Sequence, residues 1–173
     1  MDATKSHINI YNISPTQAKD FEFEFSVYDS DLLTELVPEE DDWGELIWGI
    51  ELEEYEYLPA SQVINLVLNT KWKPPLDWLQ NASKGTHYFE NRLITMSTIQ
   101  KDETCVQGIA VMDGDILQNK TIFEMDSEEV GKYYNDDESD YELDELDNQI
   151  WDSIEKFNNV CEQFYLEKDE END

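Results

Sequence analysis

Between Asp20 and Thr70 the chain has no lysine or arginine, although it places fifteen carboxylates there. Glycine is scarce at six in 173 residues, and histidine scarcer at two. With so few glycines and no Walker-type or G-x-G-x-x-G run, a loop that cradles phosphate is not expected. His7 and His87 stand in no H-E-x-x-H sequence, and no G-x-S-x-G nucleophile elbow occurs. His7 reads as part of a strand and His87 as part of a polar loop. Paired carboxylates can do general acid–base work, but in so acidic a chain such pairs arise everywhere and carry no specificity. The expectation is a protein that is not an enzyme and needs no cofactor.

Long hydrophobic runs are missing too. The longest, Val63 to Leu68, is far short of the ~18–20 residues of a membrane-spanning helix. The opening MDATKSHINIYNIS has no apolar core and no small-residue cleavage site of a secretory signal. The two cysteines, Cys105 and Cys161, show no C-x-x-C spacing and read as reduced core residues. The triplets at Asn12, Asn81 and Asn119 are glycosylation acceptors only in a secreted chain. A cytoplasmic protein without a membrane partner is therefore expected.

What is present is negative charge, with 42 acids against 11 bases and a net of −31. It is unevenly placed. The segment from Glu128 to the end adds eighteen acids against three lysines, whereas residues 58–127 are nearly balanced at eight acids to six bases. Like charges repel and destabilise a compact state, so two blocks of this size call for a compensating role. Aromatic residues make up 12% of the chain, a supply that disordered acidic tails lack. Most of the chain is expected to fold, as one domain over 1–168 with a frayed acidic tail at 169–173.

Local patterns predict the elements. His7 to Ile13 alternates as a strand closed by Ser14-Pro15. Phe21-Glu22-Phe23-Glu24-Phe25-Ser26-Val27 has strict period-2 alternation and reads as a second strand with an acidic face. Asp29-Ser30-Asp31 caps a short helix through Val37, and Glu39 to Asp42 is an acidic turn. Glu45 to Leu58 alternates as a long strand with Leu46, Trp48, Ile50 and Leu52 on one face and Glu51, Glu53 and Tyr55 on the other. Pro59 with Ser61 opens a helix carrying Val63, Ile64, Val67 and Leu68, broken at Lys71 to Pro75. A short helix begins at Leu76 and ends near Gly85. Leu93–Ile99 and Cys105–Met112 form a hairpin, Gly114 marks a turn, and Lys120 to Met125 adds a strand.

Asp126 starts a short helix through Val130, Tyr133 and Tyr134. The strongest helical signal follows, with Leu143, Leu146, Ile150, Ile154, Phe157, Cys161 and Phe164 at three- and four-residue steps. The other side of that helix carries Glu142, Asp144, Glu145, Asp152, Glu155 and Glu162. These elements predict an α+β fold: an antiparallel sheet of hairpins and meanders packed by short helices and a long C-terminal amphipathic helix.

No metal site is expected. A calcium loop beginning at Asp113 and Asp115 and reaching Glu124 has Gln118 where the sharp turn requires glycine. Direct nucleic-acid binding is disfavoured by repulsion. The acidic faces point instead to a basic, nucleic-acid-binding protein as partner. Carboxylates at i and i+2 of a strand stand ~6.5–7 Å apart, and helical i, i+3 or i, i+4 pairs ~5–6 Å. Phosphates in DNA recur every ~3.4 Å of axis per strand, so the spacings are of the same order.

The candidate contact residues are Glu22 and Glu24, then Glu39, Glu40, Asp41, Asp42 and Trp43, and then Glu51, Glu53, Glu54, Tyr55 and Glu56. The C-terminal block supplies Asp136, Asp137, Glu138, Asp140, Glu142, Asp144, Glu145 and Asp152. Trp43 and Tyr55 are the expected exposed aromatic anchors, whereas Trp48 and Trp151 are expected in the core. In size and composition the chain resembles the acidic DNA-mimic inhibitors of phages and mobile elements, which block restriction enzymes, CRISPR effectors or DNA-packaging proteins. It is similar in type to immunity proteins that plug a nuclease toxin. The resemblance implies an inhibitor, monomeric or homodimeric, that competes with nucleic acid. A nuclease immunity protein and a chaperone of a basic protein are the alternatives.

Overall fold

The computed structural model of the chain describes residues 4–28, 50–70, 76–85, 88–100, 105–134 and 140–166. Its elements are β1 (Thr4–Ile10), α1 (Pro15–Tyr28), β2 (Ile50–Leu58), β3 (Val63–Thr70), α2 (Leu76–Gly85), β4 (Ile94–Ile99), β5 (Cys105–Met112), β6 (Asp115–Glu124), α3 (Ser127–Tyr134) and α4 (Asp140–Tyr165). The six strands form one antiparallel sheet in the order β2-β3-β1-β4-β5-β6. With these helices, among the described residues, the fold is α+β and ends in a long C-terminal helix.

The expected strand at Phe21–Val27 is instead the second half of α1. Its start is a reciprocal cap. The Gln17 backbone N–H donates to Ser14 Oγ at 3.2 Å, and the Ser14 N–H donates to Gln17 Oε1 at 3.0 Å, with Pro15 at the first helical position. The alternating phenylalanines also satisfy helical spacing. Phe21 and Phe25, four residues apart, pack inward with Ala18, while Phe23 is left 69% exposed. Four apolar residues at period 2, Phe21 to Val27, are too few to outweigh a cap.

The expected helix at 63–68 is strand β3. Its even-numbered residues Ile64, Leu66, Leu68 and Thr70 are buried, and the odd positions 65, 67 and 69 are half-buried. β3 lies between β2 and β1, and the turn into it is formed at Gln62 with φ of 55°. The Gln62 carbonyl accepts the Ile13 N–H at 2.8 Å, which ties the turn to the end of β1.

Other expectations hold. α2, the β4–β5 hairpin, α3 and α4 stand where their patterns placed them, whereas β6 starts at Asp115 rather than at Lys120 and β1 spans Thr4–Ile10 rather than His7 to Ile13. Asp113 and Gly114 connect β5 to β6 with φ of 51° and 84°, the two positive values of a type I′ turn. Asp126 Oδ1 accepts the Glu128 N–H at 2.8 Å and caps α3. The expected helix at 29–37, the acidic turn at 39–42, residues 45–49 and the breaks at 71–75 and 101–104 lie outside the described residues.

The strand register sorts the core into two layers. On one face Ile8, Ile10, Ile64, Leu66, Leu68, Ile94, Met96, Ile109 and Val111 meet Ala18 and Phe21 of α1 and Trp78, Leu79 and Ala82 of α2. Aromatic contacts knit this layer. Phe21 stacks on Tyr55 and meets Tyr88 edge-on, both at 5.1 Å, and Trp78 meets Phe89 edge-on at 5.5 Å. On the other face α4 lies over β4, β5 and β6, using Leu146, Ile150, Ile154, Phe157 and Cys161. Gly108 sets the closeness of that packing. A Cβ there would come within 3.0 Å of the Phe157 ring and 2.8 Å of Ile122.

Candidate partner-binding groove

α4 covers only half of its sheet face. Beyond its flank, the face of β1, β3 and β2 opens into a groove of about 570 Å³. The register determines which side chains floor it. His7 and Asn9 of β1 project to the same side as Asn65 and Val67 of β3. One wall is β2, through Glu54, Glu56 and Leu58; the other is α4, through Trp151, Glu155, Asn158 and Glu162.

A bulge between Leu52 and Glu54 decides what β2 contributes. It shifts the alternation by one residue. Glu54 and Glu56, paired with Val67 and Asn65, consequently face the groove side, whereas Tyr55 and Tyr57 join Leu52 in the opposite core. Tyr55 is therefore not the exposed anchor expected. Its ring is half-buried on Phe21, and its hydroxyl donates to the Ala18 carbonyl at 3.2 Å. Tyr57 likewise donates to the Ile13 carbonyl at 2.8 Å.

Trp151 reverses the other way. Expected in the core, it is 46% exposed and meets His7 edge-on with ring centroids 4.6 Å apart. Phe164, the last residue of the expected apolar series, is 58% exposed. Burial, with Lys5 adding to it, holds the His7 imidazole below its ordinary value of 6.5, against the opposing pull of Glu54 and Glu53. The ring is thus neutral at pH 7. Lys5 pairs with Glu53 at 3.1 Å at the end of the strand, and Asn69 Nδ2 donates to the same carboxylate.

The acidic residues expected as contacts fall into three places. Glu51, Glu53, Glu54 and Glu56 are exposed along β2, and Asp144, Glu145 and Asp152 are exposed on α4. Asp140 and Glu142 belong to the first turn of α4. Glu22 and Glu24 lie on α1, across the sheet from the groove, and Glu24 is engaged internally as the acceptor of the Tyr88 hydroxyl at 2.9 Å. Burial, then that hydrogen bond and the charges of Glu24 and Asp20, push the Tyr88 phenol far up, so it stays a donor. Glu39, Glu40, Asp41, Asp42, Trp43, Asp136, Asp137 and Glu138 lie outside the described residues. Folding thus brings part of each acidic block together across one groove and puts the α1 acids on the far layer.

Sequence reasoning placed Glu155 and Glu162 on the outer side of the helix without selecting them, and it passed over Asn9, Asn65 and Asn158. The helix offered a signal for Trp151. At 100° per residue it sits well off the stripe through Leu146, Ile150, Ile154 and Phe157. For the asparagines no local signal exists, because strand register puts Asn9 and Asn65 on one floor and only helix docking brings Asn158 beside them.

Chemically, the charged groups of the groove are acceptors. Among the described residues, its walls supply four carboxylates and neither lysine nor arginine lines it, and Asn158 Oδ1 is withdrawn from solvent with no hydrogen-bond partner. Among the described residues, no group of three or more His, Cys, Asp or Glu is placed to hold a metal ion, and no helix is long and apolar enough to cross a membrane. Comparison with protein-family models, with curated proteins and with solved structures yields no match.

Proposed function

We propose that this chain is a non-enzymatic acidic inhibitor that presents ordered carboxylates to the basic nucleic-acid-binding site of another protein and competes there with nucleic acid. The observation that carries this reading is the meeting of β2 and α4 acids across one groove with an exposed tryptophan at its edge. Even if every one of the 11 bases were paired, 31 carboxylates would remain without a counter-charge. Those of α4 recur along the helix. Asp152 and Glu155 lie one turn apart, and Glu155 and Glu162 two turns, or ~10 Å at ~1.5 Å per residue. Glu54 and Glu56 stand ~6.5–7 Å apart on their strand. Lys and Arg that grip a phosphate backbone release its counterions on binding, and rows of carboxylate engage the same side chains.

The test uses immobilised full-length chain, a bacterial extract enriched for DNA-binding proteins on heparin, and elution with duplex DNA at low and moderate salt. Proteins that bind duplex DNA by themselves should be captured and then released by it. Charge reversal at Glu51, Glu53 and Glu54, or at Asp144, Glu145 and Asp152, should weaken capture, with losses that shrink as salt screens exposed charges beyond ~8–10 Å. Capture of non-basic proteins alone, or capture indifferent to added duplex, overturns the reading.

A further inference from the structure

We infer that the groove between α4 and the open half of the sheet receives an extended, arginine-bearing segment of the partner protein. This rests on the reading above and specifies what part of the partner is held. Shape is the first reason. The helix wall runs from Trp151 to Glu162, which is ~16 Å at ~1.5 Å per residue. An extended chain advances ~3.3 Å per residue, so the trench matches about five residues of peptide. A single compact cation would occupy only part of it. A duplex would find a concave surface, not a partner with its own convex shape.

Chemistry is the second reason. Glu54 and Glu56 on one side and Glu155 and Glu162 on the other accept hydrogen bonds and supply none when ionised. Asn158 lies on the same helix wall, its Oδ1 buried and without a partner. The complementary group donates only, and Lys and Arg do so with a positive charge that they keep at neutral pH.

Trp151 selects between the two cations. It is 46% exposed, with its ring edge-on to a neutral His7. A planar guanidinium stacks on an indole and forks two hydrogen bonds to a carboxylate, which an ammonium cannot do. The arginine therefore lies over Trp151 with its donors toward the carboxylates of the two walls.

The experiment is fluorescence anisotropy of a labelled Gly-Arg-Gly-Arg-Gly peptide with the full chain, beside the lysine peptide and spermidine as competitors. Circular dichroism confirms that each variant is folded. Glu54→Gln combined with Glu155→Gln should weaken the arginine peptide about tenfold. Asp20→Asn combined with Asp77→Asn removes equal charge from the helices on the opposite face and should change affinity less than about twofold. Trp151→Ala should cost about three- to fivefold for arginine and little for lysine.

Equal losses from the two charge pairs would reduce the effect to net charge and overturn the inference. So would spermidine competing as well as the arginine peptide, or indifference to Trp151→Ala. If the peptide behaves as expected but duplex DNA releases no captured protein, the groove inference stands and the mimicry falls. If capture succeeds and ignores Glu54→Gln with Glu155→Gln, the reverse holds.

Discussion

The two faces of the sheet are built by opposite rules. Under α1 and α2 nearly every inward residue is apolar, and the aromatic rings of Phe21, Tyr55, Tyr88, Trp78 and Phe89 interlock. Under α4 the covered half is largely apolar, with Thr95 and Ser97 of β4 buried in it, whereas the other half keeps His7, Asn9 and Asn65 beneath two acidic walls. The closed face can supply burial free energy across its whole breadth. On the open face the same strands forgo burial at β1–β3 and leave a concave, negatively charged surface. The difference teaches that stability and presentation of charge are separated to the two sides of one sheet, so charged side chains can change on one side with little effect on the other.

Three experiments would break or sharpen that contrast. The largest effect is expected on the closed face. Phe21 is fully buried between Tyr55 and Tyr88, and Phe21→Ala should destabilise the fold by about 3–5 kcal/mol through lost burial and the cavity left behind. Urea denaturation measures it. A loss under about 1 kcal/mol would show that α1 is not part of the cooperative core.

A smaller effect is expected where α4 docks. At Gly108 any side chain meets the Phe157 ring and Ile122, so Gly108→Val should cost about 1–3 kcal/mol by overpacking. Because α4 forms one wall of the groove, this variant should also weaken binding of basic ligand more than Phe21→Ala does, when both are compared at temperatures where they remain folded. Unchanged binding would mean that α4 does not position the wall.

The smallest effect concerns His7. Its folded value lies below 6.5, so between that value and 6.5 the unfolded chain binds more protons than the folded one. Its contribution to stability is complete above about pH 6.5 and declines as pH falls toward the folded value. His7→Gln should flatten the dependence of urea midpoint on pH between about 5.5 and 7, a window above the ordinary carboxylate range. An unchanged slope would place the proton uptake elsewhere.

Much of the fold was legible locally. α4 announced itself through seven apolar residues at helical steps, and the β4–β5–β6 meander through apolar runs broken by a polar turn and by Gly114. α1 and β3 misled because short segments fit two periods at once. Phe21 and Phe25 are two apart from Phe23 but four apart from each other, and Val63, Ile64, Val67 and Leu68 mimic a helix inside a strand. In α1 the deciding signal, the Ser14–Gln17 cap, was in the sequence and outranked the alternation. In β3 it was not, since a strand between two others is selected by partners elsewhere in the chain. The candidate contacts divide similarly. Asp144, Glu145, Asp152, Glu155 and Glu162 of α4 were correctly oriented outward by its apolar stripe, while Tyr55 was turned inward by a bulge that no local pattern marks.

Composition and local periodicity thus determined the excess of 31 negative charges, its division into two blocks, and the outward direction of the helical acids. These are sums over residues or properties of one element, and they need no knowledge of neighbours. Tertiary structure alone decided that β2 and α4 face one another across a groove, that Trp151 stands at its edge and that Asn9, Asn65 and Asn158 share its surface. Those relations join residues far apart in the chain through strand register and helix docking. Long-range pairing is selected by the packing of the whole and is written in no single segment.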